Sequence, residues 1–309
     1  MKSEKIPIKF VCNYLNDNEL LELLTNQYYY NPSYRFKPVT DNSFEYLVVF
    51  NFTHKKWLPE RTFVLIQEPS WSDRIHLDYL NNWAGKVFFH DKKLLKLSKD
   101  KIIERRSLLP YYSNTSFQQI VDNPPNKNKK ISFILSGLSG KHNYIFRQNL
   151  LEQILKSKLD IDIYGRGLQI KDPRYKGELS DKFDGLKKYE YSIAIENSCE
   201  KNYVTEKFTD CILNKTVPIY FGAPNINDLF PTNSFINLNP ANPIQQLDHI
   251  IQYEKYSDRI EAVDRAFVQI TEEENIFKII DDILTKLNDQ NLTPIDQIKS
   301  FILKKIYFR

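Results

Sequence analysis

The stretch YVTEKFTDCILNKTVPIYFG fills residues 203–222. A short helix beginning near Thr205 runs directly into a strand rich in β-branched residues that ends at Gly222. This is one α/β unit, and two charges, Glu206 and Lys207, stand at the mouth of its helix. Upstream the same grammar repeats. ISFILSG (131–137), IDIYGRG (161–167) and YEYSIAIENS (189–198) are strand-length apolar runs that end in glycine or polar residues. NYIFRQNLLEQILKS (143–157) has the length and spacing of a helix. Strands alternating with helices predict a mostly parallel, Rossmann-like sheet with ligands at the carboxyl ends of its strands.

A second set of such elements occupies the amino-terminal part. IPIKFVC (6–12), FEYLVVF (44–50), TFVLIQ (62–67) and KVFFH (86–90) are strand-length. DNELLELLTNQ (17–27) is a helix with Leu20, Leu23 and Leu24 on one face and an Asp or Asn cap in front. The polar run VDNPPNKNKK (121–130) is the linker expected between the two sets. The predicted organisation is residues 1–125, residues 126–290, and a basic amphipathic helix over 291–309. In that last helix Ile295, Ile298, Ile302 and Ile306 oppose Lys299, Lys304, Lys305 and Arg309. Such a helix docks its isoleucines on the body and keeps a solvated basic face, or else contacts an anionic membrane surface. Ile276, Ile280, Ile283 and Leu287 also recur at helical spacing.

The chain has 309 residues, enough for two α/β domains. Its 43 basic and 39 acidic residues leave a formal charge of +4, too little for a dedicated nucleic-acid binder. Cys12, Cys199 and Cys211 are odd in number and form no CxxC, which argues against a disulfide framework or zinc site and for a reducing, cytoplasmic setting. The first apolar run, broken by Lys9, reads as a strand rather than a signal segment. No apolar run reaches the roughly 18 residues of a membrane span.

The helix mouth at Thr205 offers unpaired N–H groups and a partial positive charge, a natural diphosphate site. Lys207 would add a full charge. Glu206 would repel a phosphate, so it either accepts hydrogen bonds from sugar hydroxyls or simply favours the helix N-terminus while Lys207 faces water. Three polar strand ends lie nearby: Gly165-Arg166-Gly167, Glu196-Asn197-Ser198 and Gly222-Ala223-Pro224.

DIYGRG, YSIAIENS, YVTEKFTDCILNKTVPIYFGAP and FPTNSFINL, in this order and spacing across residues 131–238, resemble the α1,3/α1,4-fucosyltransferases, glycosyltransferase family 10. The resemblance implies a GT-B fold, with two Rossmann-like domains facing a central cleft, the acceptor in the first and GDP-fucose in the second. It implies inversion at the anomeric carbon with no metal or other cofactor. Carried over by position, Tyr203, Glu206 and Lys207 fall on the donor block, Asn197 on the Glu-Asn motif, and Arg147 on a diphosphate-clamping arginine. Arg166 is either part of that site or a structural arginine bonding carbonyls. The base implied by the family follows an apolar strand of the first domain; here that is Glu68 in TFVLIQEPSW, with Glu60 and Asp73 as neighbouring alternatives. Trp71, His76, Tyr79 and Trp83 are acceptor-platform candidates, with Trp71 and His76 foremost. The partners expected are GDP-fucose and a glycan, with α1,3 transfer to a GlcNAc or Glc unit. A cytosolic, bacterial-type enzyme at the inner membrane face fits this pattern. A GT-B enzyme using another nucleotide sugar, and a non-catalytic glycan-binding relative, are the alternatives.

Overall fold

The computed structural model describes residues 4–28, 30–106, 115–138, 140, 143–286 and 293–308. In chain order the first elements are β1 (Ile6–Val11), α1 (Asp17–Gln27), β2 (Phe36–Pro38), β3 (Tyr46–Phe50), β4 (Thr62–Leu65), α2 (Leu77–Trp83), β5 (Lys86–Phe89) and β6 (Ile102–Glu104). There follow α3 (Phe117–Asp122), β7 (Lys129–Ile134), α4 (Asn143–Lys156), β8 (Ile161–Tyr164), β9 (Tyr189–Ile195), α5 (Glu206–Leu213), β10 (Val217–Phe221), α6 (Ile226–Leu229), β11 (Ile236–Asn237), α7 (Pro243–Tyr253) and α8 (Ile260–Val268). The chain ends with α9 (Ile276–Lys286) and α10 (Pro294–Tyr307). Among the described residues no helix is long and apolar enough to cross a membrane.

Two sheets result, and every strand pair in them is parallel. The first runs β2-β1-β3-β4-β5-β6 and the second β11-β10-β9-β7-β8. Counted within its own set, the first has the order 2-1-3-4-5-6 and the second 2-1-3-4-5, so each has a switch point: between β1 and β3 in the first, between β7 and β9 in the second. Ligands of doubly wound sheets bind there, beyond the carboxyl ends of the strands. The strands read as unbroken apolar runs because helices cover both faces. All five residues of β3 are buried, as are Tyr191, Ile193, Ala194 and Ile195 of β9. The cap expected before α1 is Asn16, whose side chain accepts from the Asn18 and Glu19 backbone while Glu19 accepts from the Asn16 N–H.

The chain divides into two compact units, Met1–Pro110 with Glu272–Arg309, and Tyr111–Thr271. The first unit is thus discontinuous, where the sequence reading gave contiguous domains. Ile276, Phe277, Ile280 and Leu284 of α9 pack with Phe10, Leu20, Leu24 and Phe36 instead of extending the second core. Phe277 meets Phe10 edge-on at 5.7 Å, and Asp281 accepts the Arg35 backbone N–H at 2.7 Å. Helical spacing marks an apolar face but not the partner it covers, hence the difference. Leu287 lies outside the described residues. The chain changes units inside a single π-helical turn, Gln269–Glu273.

The segment 121–130, read as a linker, is fastened to the second sheet. Lys127 donates to the Leu186 and Asn214 carbonyls and to Thr216 Oγ1, the last at 2.8 Å, and β7 begins at Lys129. Its polar composition reflects the ion-paired rim of a sheet: Lys129 pairs with Asp162 and Lys130 with Glu190. The short strands β2, β6 and β11 were not legible in the sequence.

The helix expected over 291–309 forms as Pro294–Tyr307, but its isoleucines are not docked. Ile295, Ile298, Ile302 and Ile306 are exposed, and Leu303, Tyr307 and Phe308 hold it to the first unit. Lys304 shares the docked side, over the Phe44 and Trp57 rings, so cation–aromatic contact rather than aliphatic burial sets the helix rotation. Arg309 lies outside the described residues.

Candidate functional site

At the second switch point lies a pocket of about 380 Å³. The ends of β7 and β9 form its floor, and Arg147, Arg166, Lys182, Glu206 and Lys207 reach it. Two glycines permit close packing just beyond the strand ends, and of these Gly165 lines the pocket. A Cβ on Gly165 would fall 1.8 Å from the Leu135 carbonyl oxygen. One on Gly222 would fall 2.5 Å from Glu196 Cγ and 2.4 Å from the Tyr220 hydroxyl.

Glu196 is the anchor. It is fully buried at the end of β9, where its carboxylate accepts from the Thr205 N–H at 2.7 Å and the Thr205 hydroxyl at 2.6 Å. Thr205 is the N-cap of α5 and accepts from the Lys207 N–H. The strand end and the helix start are therefore tied through one carboxylate, and that tie sets where Glu206 and Lys207 stand. Lys207 Nζ lies 2.9 Å from Glu206, 3.2 Å from Thr205 Oγ1 and 3.8 Å from Glu196. The charged pair at the helix mouth stands in the first turn of α5, is partly exposed and lines the pocket, and the two side chains pair with each other.

Arg147 reaches the pocket from α4. It is 5% exposed, and its Nη2 donates to the Ile195 carbonyl at 2.9 Å and to Asn197 Oδ1 at 2.8 Å. Asn197 does not line the pocket; it acts by fixing this guanidinium. Tyr203 does not line it either. Its ring is buried, and its carbonyl accepts from the Tyr220 hydroxyl at 3.3 Å. Arg166 lines the rim, exposed and paired with Glu178.

Lys182 was missed by the sequence reading. It opens a short 3₁₀ turn, Lys182–Gly185, pairs with buried Asp210 of α5, and lies 3.5 Å from the Glu206 carbonyl oxygen. Lys182 and Asp210 meet only in the fold, and no motif in SDKFDG marks the lysine.

Burial lowers the Arg147 guanidinium and raises the Glu196 and Asp210 carboxyls, with Lys207 and Lys182 respectively opposing the rise. Burial would also raise Glu206, but the Lys207 and Lys182 charges outweigh it and hold this carboxyl at about 2.

In the first unit, Glu68 lies just beyond the carboxyl end of β4. It is half-buried and accepts from Ser72 Oγ at 3.3 Å and Arg74 Nη1 at 3.2 Å. Beside it Gln67 exchanges hydrogen bonds with Asn51 at the end of β3. Glu60 sits in the turn before β4, at the opposite end of that strand, and Asp73 is exposed. Beyond β3 a second pocket of about 410 Å³ is lined by Phe52, His54, His76, Asp78, Tyr79 and Trp83, among others. His76 stacks on Phe52 at 3.8 Å. Tyr79 is largely core, and Trp71 does not line this pocket.

Two doubly wound parallel units in one chain, each with its own ligand face, define a GT-B glycosyltransferase fold. The solved structure of an alpha1,3-fucosyltransferase with GDP-fucose superposes over 94% of both chains at a TM-score of 0.56 and 18% identity. Residues 124–267, most of the second unit, match the family described as glycosyltransferase family 10 (fucosyltransferase) C-term. Alpha-(1,3)-fucosyltransferase B of Drosophila melanogaster is 31% identical over 131 residues, 38% of this chain and 28% of that protein. A putative fucosyltransferase-like protein of Arabidopsis thaliana is 29% identical over 144 residues, 46% of this chain and 27% of that one. The human GDP-fucose protein O-fucosyltransferase 3 is 29% identical over 119 residues, 37% and 24%. The matches span about a quarter of the length of these relatives.

The Glu206 carboxyl lies below its usual 4.5, so its contribution to stability is full above about 4.5 and is lost as the pH falls towards 2. We expect the urea midpoint of the wild type to drop more steeply over that window than that of Glu206→Gln. Parallel curves would show that Glu206 is not held by the lysines.

Proposed function

We propose that the protein transfers L-fucose from GDP-fucose to a hydroxyl of an acceptor glycan, with inversion at the anomeric carbon and an α1,3 linkage to a GlcNAc or Glc unit. The observation that carries this reading is the convergence of Arg147, Lys182 and Lys207 with Glu206 in the pocket at the second switch point. The cations suit a diphosphate, and the carboxylate suits sugar hydroxyls. Departure of GDP leaves negative charge on the diphosphate, which the buried guanidinium and the two ammonium groups stabilise in place of a metal ion. The proton of the attacking hydroxyl goes to Glu68, the carboxylate beyond the carboxyl end of β4. The relatives named as protein O-fucosyltransferases support a second reading, in which a polypeptide hydroxyl is the acceptor.

GDP at about 100 times its Kd should add roughly 2.7 kcal/mol of stability, and UDP, CMP and dTDP should not. Stabilisation by UDP alone would replace the donor in this reading. Lys207→Ala and Arg147→Ala each remove a charge-assisted contact worth about 1.5–3 kcal/mol, roughly tenfold to a hundredfold in GDP affinity by calorimetry. Wild-type affinity in both would remove the phosphate assignment.

Transfer should persist in EDTA; a loss that Mn²⁺ restores would overturn the metal-free mechanism. Glu68→Gln should lower transfer by roughly 10²–10⁴-fold with GDP binding intact, while Glu60→Gln, at the far end of the strand, stays near wild type. Activity retained in Glu68→Gln and lost in Asp73→Asn would transfer the role to Asp73.

A further inference from the structure

Behind Lys182 lies an acid with half of its carboxylate unanswered. Asp210 is 1% exposed. Its Oδ2 takes the Lys182 ammonium, while its Oδ1 is buried with no hydrogen-bond partner among the described residues. A buried ionised oxygen without a partner is costly, and a neutral carboxyl oxygen less so. The other acids of the cluster are better provided. Glu196 receives two hydrogen bonds from Thr205, and Glu206 is held ionised by Lys207 and Lys182. Burial raises the Asp210 carboxyl to about 7 against the pull of Lys182, and Glu206 adds to the rise.

The charges acting on Asp210 are Lys182 from the 3₁₀ turn and Glu206 and Lys207 from its own helix. Cys211 beside it is pushed up to about 12 by burial and stays neutral. β10 carries no charged residue, and Glu190 of β9 is paired with Lys130. On α8, Glu261 pairs with Arg265 and Asp264 with Lys215. The cluster is therefore in balance before any ligand arrives, with Arg147, Lys182 and Lys207 against Glu196, Glu206 and Asp210. A diphosphate adds negative charge to it and draws on the same ammonium that Asp210 holds. The smallest cation able to restore the balance is a proton, and Asp210 is the acid placed to receive it.

Resting on the reading of this pocket as a donor site, we propose that Asp210 is a positioning residue: it presents Lys182 to the donor's diphosphate and takes up a proton from solvent when that anion binds. The proton bonds to a carboxylate oxygen of Asp210 and returns to solvent when the diphosphate leaves, so no net proton is consumed. Lys182 stays charged throughout, because burial lowers it but Asp210 and Glu206 outweigh this and hold it at about 12.

Calorimetry of the full chain with GDP-fucose, without acceptor, in buffers of different ionisation enthalpy such as HEPES and Tris, counts the protons. At pH 7.5 the wild type should take up about 0.5 proton or more per donor bound. Its affinity should weaken by about tenfold from pH 7 to 8.5, since binding that takes up a proton fades as the pH rises above the carboxyl's value in the free protein. Asp210→Asn should bind with no uptake and a flat pH profile. Lys182→Met should lose the uptake as well, because Asp210 without its lysine is already neutral in the free protein. Donor bound by the wild type without proton uptake would overturn the proposal, as would uptake that persists in Asp210→Asn. A protein that binds no GDP-fucose removes the donor reading and this inference with it; one that binds it without uptake removes this inference alone.

Discussion

One buried carboxylate holds the pocket of the second unit together. Glu196 follows β9 and is fully buried, where an uncompensated charge would cost several kcal/mol. It is tolerated because Thr205 gives it two short hydrogen bonds and Lys207 lies within 4 Å. The same contacts fix the first turn of α5 and so the place of Glu206 and Lys207. Gly222 belongs to this arrangement, since any side chain there would occupy the space of Glu196. The glycine and the acid are one requirement written in two parts of the chain.

Around that anchor, acids and bases alternate. Arg147, Lys182 and Lys207 face Glu196, Glu206 and Asp210, and each cation is held by a named acceptor. The pocket is therefore preorganised: its charges are positioned by the protein and do not wait for a ligand to order them. Asn197 has its place in this scheme through Arg147, whose guanidinium it orients from the end of β9.

Much of this was legible in the sequence, for identifiable reasons. Strands buried on both faces leave continuous apolar runs, so β1, β3, β4, β5, β7, β8, β9 and β10 could be read. The strand ends carry glycines and polar residues that their neighbours require, so the site's location could be read as well. The two- and three-residue strands β2, β6 and β11 have no periodicity to detect. Lys182 owes its place to a tertiary pairing across 28 residues. Tyr203 lies within the recognised motif, yet its ring serves the core, because a motif records which residues recur and not which way each one faces. In α10 the helix was legible but its rotation was not, since Lys304 takes the aromatic seat that an isoleucine would fill by the usual rule.

The discontinuity of the first unit has a consequence for biosynthesis. A nascent chain emerges from its amino end, and contiguous units complete themselves as they appear. Residues 111–271 can do so. The first sheet emerges earlier but lacks Phe277, Ile280 and Leu284 of its core until the segment after residue 271 has been made. The unit translated first is the one completed last, and during that interval its apolar face is work for a chaperone.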